Sequence, residues 1–142
     1  YGAAKMALVG LMNTLVIEGE KYGIRVNALA PAAGTRMTEG LIDDKAFALL
    51  TPETVTPAVL FLVSDEAPTR TILAAGAGAF AVAKIVETEG MWLPEADQTP
   101  EGIAANWSQI SEGGERALQA GFEQSIKMVG QAATGLGLDL SQ

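Results

Sequence analysis

Long apolar runs separated by short breaks of glycine, proline and charge organise the first half of this chain. Residues 1 to about 22 are rich in Ala and Leu, contain no Pro, and are apolar nearly all round, with Asn13 and Thr14 as polar interruptions. That pattern predicts a helix buried on several sides and ended by Gly23 as a left-handed cap. It reads either as a central core helix or as one with a face on a sheet and another on a second subunit. Ile24 to Ala30 reads as a buried strand ending at Pro31. A helix, one glycine and a strand make the second half of a βαβ unit. Ligands gather beyond the carboxyl ends of the strands in such sheets, so the segment from Pro31 to Thr38 falls at the ligand mouth.

Further along, Met37 to about Leu50 predicts a loop with helical pieces. Thr51-Pro52-Glu53 reads as an N-cap with Pro at the first helical position, opening a helix to about Ser64. Pro57 falls in its second turn, where it would distort the start. Asp65 to Thr69 is a turn, and Arg70 to Ala75 a second strand running into Gly76-Ala77-Gly78. From Phe80 to Trp92 the alternation is partial, which suggests an irregular hairpin or extended arm. Thr99-Pro100-Glu101 opens a helix through Ile103, Trp107 and Ile110 that Gly113-Gly114 breaks. Glu115 to about Ala133 predicts an amphipathic helix carrying Leu118, Phe122, Ile126 and Val129, followed by a frayed tail. The organisation expected is residues 1–80 as part of a nucleotide-binding sheet domain and 81–142 as an arm with a helical extension.

Composition narrows the chemistry. The chain has 142 residues, 49% hydrophobic and 18% charged, the balance of a globular protein. Its net charge of −8 argues against a nucleic-acid surface. Without Cys or His it has no thiolate chemistry, no disulfide and none of the commonest metal ligand, so no metal site is expected. The apolar stretch from Met6 to Ile17 is too short to span a bilayer. The last residues, Asp139-Leu140-Ser141-Gln142, carry no S-K-L address, and the chain reads as cytoplasmic.

Tyr1 and Lys5 lie one helical turn apart, which can set an ammonium beside a phenol. A free phenol titrates near pH ~10. A cation ~4 Å away at an effective dielectric of ~20 contributes about 4 kcal/mol, at most about three pKa units. The spacing alone also fits an ordinary helix face. The residues beyond Lys5 add more: Met6-Ala7-Leu8-Val9-Gly10-Leu11-Met12, then Ile24-Arg25-Val26-Asn27-Ala28-Leu29-Ala30-Pro31. The run resembles the short-chain dehydrogenase/reductase family, from its Y-x-x-x-K helix through the I-R-V-N strand to the Pro-containing cofactor loop. The resemblance implies an α/β fold, the C-terminal half of a Rossmann-type doubly wound parallel sheet, with a C-terminal helical extension. It implies that Tyr1 and Lys5 are catalytic and that Tyr1, Lys5, Pro31, Ala33, Gly34, Thr35 and Thr38 touch NAD, with NADP left open. It also implies that the glycine-rich nucleotide loop, the ribose selector, a serine and an asparagine precede Tyr1, and that subunits pair through the first helix as a homodimer or homotetramer.

The family pattern P-G-x-x-x-T is altered here, because Ala32-Ala33 stand between Pro31 and Gly34. The form A-P-x-A-G-[ST]-R-M-T, the later Gly76-Ala77-Gly78 and the segment Thr99-Pro100-Glu101-Gly102-Ile103-Ala104-Ala105-Asn106-Trp107 resemble one branch, the (3R)-hydroxyacyl-CoA dehydrogenase domains of type 2 peroxisomal multifunctional enzymes. The expected function is hydride transfer between a nicotinamide and a secondary alcohol or ketone, here a 3-hydroxyacyl thioester or acyl-CoA whose tail would suit the apolar loop 37–50. The competing expectation is a fragment or interaction module without activity of its own. Gly76-Ala77-Gly78-Ala79-Phe80-Ala81 also matches G-x-G-x-x-A, but Val82, Ile85, Val86 and Thr88 favour a strand where that fingerprint needs a helix. It reads as a tight turn at the sheet end. Arg36 pairs with a phosphate or, by preference, a nearby acid. Trp92 and Trp107 read as packing anchors, and Asp43-Asp44 as a solvated turn.

Overall fold

The computed structural model describes residues 1–36, 40–117 and 122–140, in two compact units, Tyr1–Lys84 and Ile85–Gln142. The first unit opens with helix α1, Gly2–Gly19. A single turn of tighter helix, Glu20–Tyr22, follows, and Gly23 ends it at φ 68°, the left-handed cap expected from sequence. Met12 and Gly19 are buried, yet Met6, Leu8, Leu11, Leu15 and Ile17 remain exposed. Among the described residues, several sides of α1 are left uncovered.

Strand β1, Ala28–Pro31, begins later than the hydrophobic run suggests. The preceding residues spend their polar groups on the turn before the next strand. Arg25 donates to the carbonyls of Ser64, Asp65 and Ala67. The Val26 N–H donates to Thr69 Oγ1 at 3.1 Å. Asn27 Nδ2 donates to the Pro68 carbonyl at 2.6 Å, while Asn27 Oδ1 accepts from the Thr71 N–H at 3.1 Å. These bonds satisfy the backbone without a ladder and fix where the ladder starts.

Helix α2, Asp44–Leu49, forms inside the loop. Asp43 caps it by accepting from the Lys45 N–H at 2.9 Å, so the acidic pair starts a helix rather than making a plain turn. The helix expected from Thr51 to Ser64 is split. Pro52–Thr54 make a short tight turn and α3 spans Thr56–Leu62. Pro57 has no N–H to give the Glu53 carbonyl, and its ring crowds that turn. Val55 and Ala58 pack with Ala75, flanked by Leu29, Ala33 and Leu73, as the core between α3 and the sheet.

Strand β2, Ile72–Gly76, pairs parallel to β1, with Ala30 opposite Ala74 and Pro31 opposite Ala75. Strand β3, Ala79–Ala83, returns antiparallel to β2, with Gly76 opposite Ala79. Residues 80–83, expected at the start of an irregular arm, thus complete a three-stranded mixed sheet in the order β1-β2-β3. The connection is a two-residue turn in which Ala77 (φ 50°) and Gly78 (φ 77°) both have positive φ, the requirement of a type I′ hairpin. A hairpin, not a helix, follows the glycines, so the nucleotide-fingerprint reading of 76–81 fails on geometry.

Among its described residues the second unit holds a short ladder, β4 (Val86–Glu87) against β5 (Arg116–Ala117), and three α-helices. Helix α4, Pro100–Ala105, is capped by Thr99 Oγ1, which accepts from the Gly102 N–H at 3.0 Å. It stops at Asn106, whose backbone N–H and side-chain Nδ2 both donate to the Gly102 carbonyl. Helix α5, Trp107–Ser111, restarts beyond this break, so one expected helix is two. Helix α6 runs Glu123–Leu136, later than predicted at both ends. Gly137 closes it at φ 67°, and the Leu138 N–H reaches the Ala133 carbonyl at 2.8 Å. Leu118 lies outside the described residues. The stripe expected to face the core, Phe122, Ile126 and Val129, is exposed, Phe122 by 83%. Ala133 is the buried residue of α6, and Lys127 and Gln131 hydrogen-bond residues 87–89 instead.

Both units offer a measurable outcome. Ala77 has a Cβ in a left-handed conformation, so Ala77→Gly is expected to raise stability by up to about 1 kcal/mol, read as a higher urea midpoint. In the second unit, the Lys127 hydrogen bond and then its charge hold the Glu87 carboxyl below its ordinary value of 4.5. A lowered carboxyl stabilises the fold fully above its unfolded value and loses that contribution as pH falls through its folded value. Thermal midpoints between about pH 3 and 7 are expected to drop on the acid side, and Glu87→Gln to flatten that drop.

Candidate active site

The loop leaving β1 carries Pro31 to Arg36, and the start of α1 carries Tyr1 and Lys5. Helix α1 packs against β1 and connects to it through the reversal at Gly23. An 18-residue helix is about 27 Å long. The extended run from Ile24 to Pro31 covers about 26 Å. Rise per residue matches α1 to this run, which sets the start of the helix and the end of β1 at comparable distances from Gly23. Across the other end, Arg70 Nε donates to Asn13 Oδ1 at 3.1 Å and ties α1 to the entry of β2.

Tyr1 precedes the first helical residue and is 91% exposed. The Lys5 N–H donates to the Tyr1 carbonyl at 3.0 Å, the first helical bond. Lys5 Nζ lies 5.3 Å from the centroid of the Tyr1 ring, over its face and within cation–π range. The one-turn spacing thus does bring the two side chains together, ammonium to ring. The phenol is open to solvent, not enclosed by apolar packing.

The loop residues divide. Pro31 is exposed and is the last paired residue of β1. Ala33 packs into the core beside Ala75, so its methyl faces inward. Gly34 donates its N–H to the Leu50 carbonyl, and the space a side chain would need is taken by the Phe47 ring. Its close backbone approach is made to α2. Thr35 and Arg36 are exposed, and Thr38 lies outside the described residues. Arg36 forms no ion pair with an acid among the described residues; the nearby acid Glu39 lies outside them. Of the tryptophans, Trp92 packs against Gly135 of α6 as an anchor, while Trp107 is exposed.

Sequence reasoning missed the backbone that holds this loop. The Ala32 N–H donates to the Ala75 carbonyl at 2.8 Å, extending the β1–β2 ladder by one step. A Cβ at Gly76 would stand 2.6 Å from the Ala32 carbonyl oxygen, so that position needs glycine. The signal was present in Gly76-Ala77-Gly78, but main-chain partners such as the Ala32 and Leu50 carbonyls leave no trace in residue type. The second unit holds a half-open cleft of about 450 Å³ between residues 87–93 and α4, α5 and α6, with Met91, Leu93, Ile103, Ile110 and Met128 as its apolar lining. It too carried no periodic signature.

Among the described residues no helix is long and apolar enough to cross a membrane. No family model matches the chain. Individual proteins do, and the chain is a homologue of the short-chain dehydrogenases/reductases. A Mycobacterium tuberculosis protein described as a short-chain type dehydrogenase/reductase is 40% identical over 115 residues, 79% of this chain and 39% of its own length. The peroxisomal hydratase-dehydrogenase-epimerase of Saccharomyces cerevisiae is 38% identical over 79% of this chain and 13% of its own. The structure of full-length peroxisomal multifunctional enzyme type 2 from Drosophila melanogaster superposes with a TM-score of 0.76 and 26% identity, over 96% of this chain and 25% of that one. The chain thus spans well under half the length of these relatives. Family members generally use NAD(P).

Gly76→Ala is expected to cost about 1–3 kcal/mol through overpacking against Ala32. Hydrogen exchange should show the loss of protection concentrated at the Ala32 amide rather than spread over α1.

Proposed function

We propose that the chain supplies the proton-transfer pair and part of the cofactor loop of an NAD-dependent oxidoreductase acting on a secondary alcohol or ketone, with a 3-hydroxyacyl thioester as substrate. The activity belongs to the whole protein. One observation carries the reading: an exposed phenol with an ammonium over its ring, on the helix that packs against a parallel strand. The residues fit one end of a nicotinamide cofactor. Tyr1, Lys5 and Thr35 are exposed, whereas the Gly34 N–H is already used. When bound, the cofactor accepts or donates hydride.

In the proposed chemistry Tyr1 takes the hydroxyl proton during oxidation, or returns it to the carbonyl oxygen during reduction. Lys5 holds positive charge beside that exchange and would hold the nicotinamide ribose. Thr35 and Pro31 border the nicotinamide end. Residues 1–80 act as the C-terminal part of the nucleotide-binding domain and 81–142 as its arm and extension. The exposed face of α1, with Met6, Leu8, Leu11 and Ile17, supports pairing of subunits through that helix as a homodimer or homotetramer. The compartment proposed from sequence is cytoplasmic; the yeast and fly relatives are named as peroxisomal enzymes.

In the complete enzyme, Tyr1→Phe is expected to lower kcat by roughly 100-fold or more while leaving NAD affinity within a few-fold. Steady-state kinetics beside calorimetric titration make the test, and undiminished turnover would falsify the assignment. A second reading is that residues 1–142 alone are inactive. It is favoured by a sheet of three strands whose β1 has no partner on its outer side among the described residues. Titration of the isolated chain with NAD is then expected to show no binding tighter than about 1 mM.

A further inference from the structure

We propose that Arg70 is a positioning residue for Tyr1 and Lys5, acting through Asn13 of α1; the role rests on the function proposed above. Two observations meet at this residue. Its backbone holds φ 59°, the left-handed region that a long side chain rarely occupies. Its Nε donates to Asn13 Oδ1 at 3.1 Å, across 57 residues of sequence, in a half-buried bond. The backbone around it is pinned. The Arg70 N–H donates to the Val26 carbonyl at 2.8 Å, and the Thr71 carbonyl accepts from the Ala28 N–H at 2.9 Å. Glycine adopts this conformation without a steric penalty, so what a strained arginine adds here is its side chain.

Asn13 is the matching half. It and Thr14 interrupt the apolar run of α1, and Thr14 spends its hydroxyl on the Gly10 carbonyl of the same helix, at 3.1 Å. Asn13 instead reaches out of the helix, beside Met12, the buried side chain of α1. The C-terminal end of α1 is fixed where Gly19 lies against Ile24 and accepts its N–H at 3.1 Å. From Gly19 to Asn13 is ~9 Å along the helix, and from Gly19 to Tyr1 ~27 Å. A shift of ~0.3 Å at Asn13 therefore becomes ~1 Å at Tyr1, a misplacement that can cost about 100-fold in rate. Apolar packing is non-directional, whereas the Arg70–Asn13 bond fixes one point of the helix against the entry of β2.

Arg70 has a further interaction besides this bond, so the test is a double-mutant cycle that isolates the pair. In the complete enzyme, Arg70→Gly, Asn13→Ala and the double variant are compared with the unaltered protein by steady-state kinetics, NAD titration and urea unfolding. Arg70→Gly relieves the left-handed strain, so its urea midpoint is expected to hold or rise while kcat falls roughly 10-fold. Asn13→Ala, which favours the helix, should lose kcat to a similar extent, and the double variant no more than either single change. NAD affinity should stay within about threefold, because every binding group is still present. Arg70→Lys keeps a donor and should recover part of kcat.

Turnover lost while stability holds is the signature of positioning. A urea midpoint that falls in step with kcat makes Arg70 a structural brace and overturns the role. Undiminished kcat in the folded variants overturns it too, as do losses that multiply in the double variant. Should Arg70→Gly not fold, Asn13→Ala decides by the same kcat criterion. Full turnover in Tyr1→Phe sinks the functional reading, whereas an inactive Tyr1→Phe beside fully active Arg70 and Asn13 variants sinks the positioning role alone.

Discussion

Parallel pairing of β1 with β2 is the constraint on which the first unit depends. Parallel strands cannot be joined by a hairpin, so about forty residues, α2 and α3 among them, intervene before Ile72 meets Ala28. Asn27 sets the pairing register at one end by bonding both Pro68 and Thr71. Ala32 and Gly76 close it at the other, where the Ala32 carbonyl lies against a residue with no side chain. The same pairing carries Pro31 to the end of the sheet and holds α1 alongside. The position of the 31–36 loop is therefore a property of the strand pair.

Local signals were legible wherever one residue decides one conformation. Gly23 as a left-handed cap, Thr99 as an N-cap and the Tyr1–Lys5 spacing all act over a single turn, and the structure follows each. Elements shaped by distant partners were not. The strand start slid from Ile24 to Ala28 because Arg25 and Asn27 have partners some forty residues away. Residues 80–83 gave a partial alternation, and only pairing with β2 makes them a strand. In the site, the identity of Gly34 suggested ligand approach, but what approaches it is Phe47, a neighbour that depends on where α2 folds.

The second unit inverts the usual arrangement of an amphipathic helix. α6 turns Lys127, Gln131 and Ala133 inward and leaves Phe122, Ile126 and Val129 outside. Lys127 spends its donors on Glu87 and on the carbonyls of Thr88 and Glu89, at 3.1 and 3.3 Å for the latter two. The pair is partly shielded from solvent, and Lys127 keeps the two carbonyls as partners besides the carboxylate. A hydrophobic period alone pointed the helix the wrong way.

The mixed character of the sheet has a directional consequence. An antiparallel strand seated at one margin, reached by the tightest of turns, interrupts the run of like-oriented neighbours there. The opposite margin, along β1, still offers the orientation that β1 and β2 share. Among the described residues, a further strand added beside β1 in the same sense would continue the parallel run that β3 interrupts.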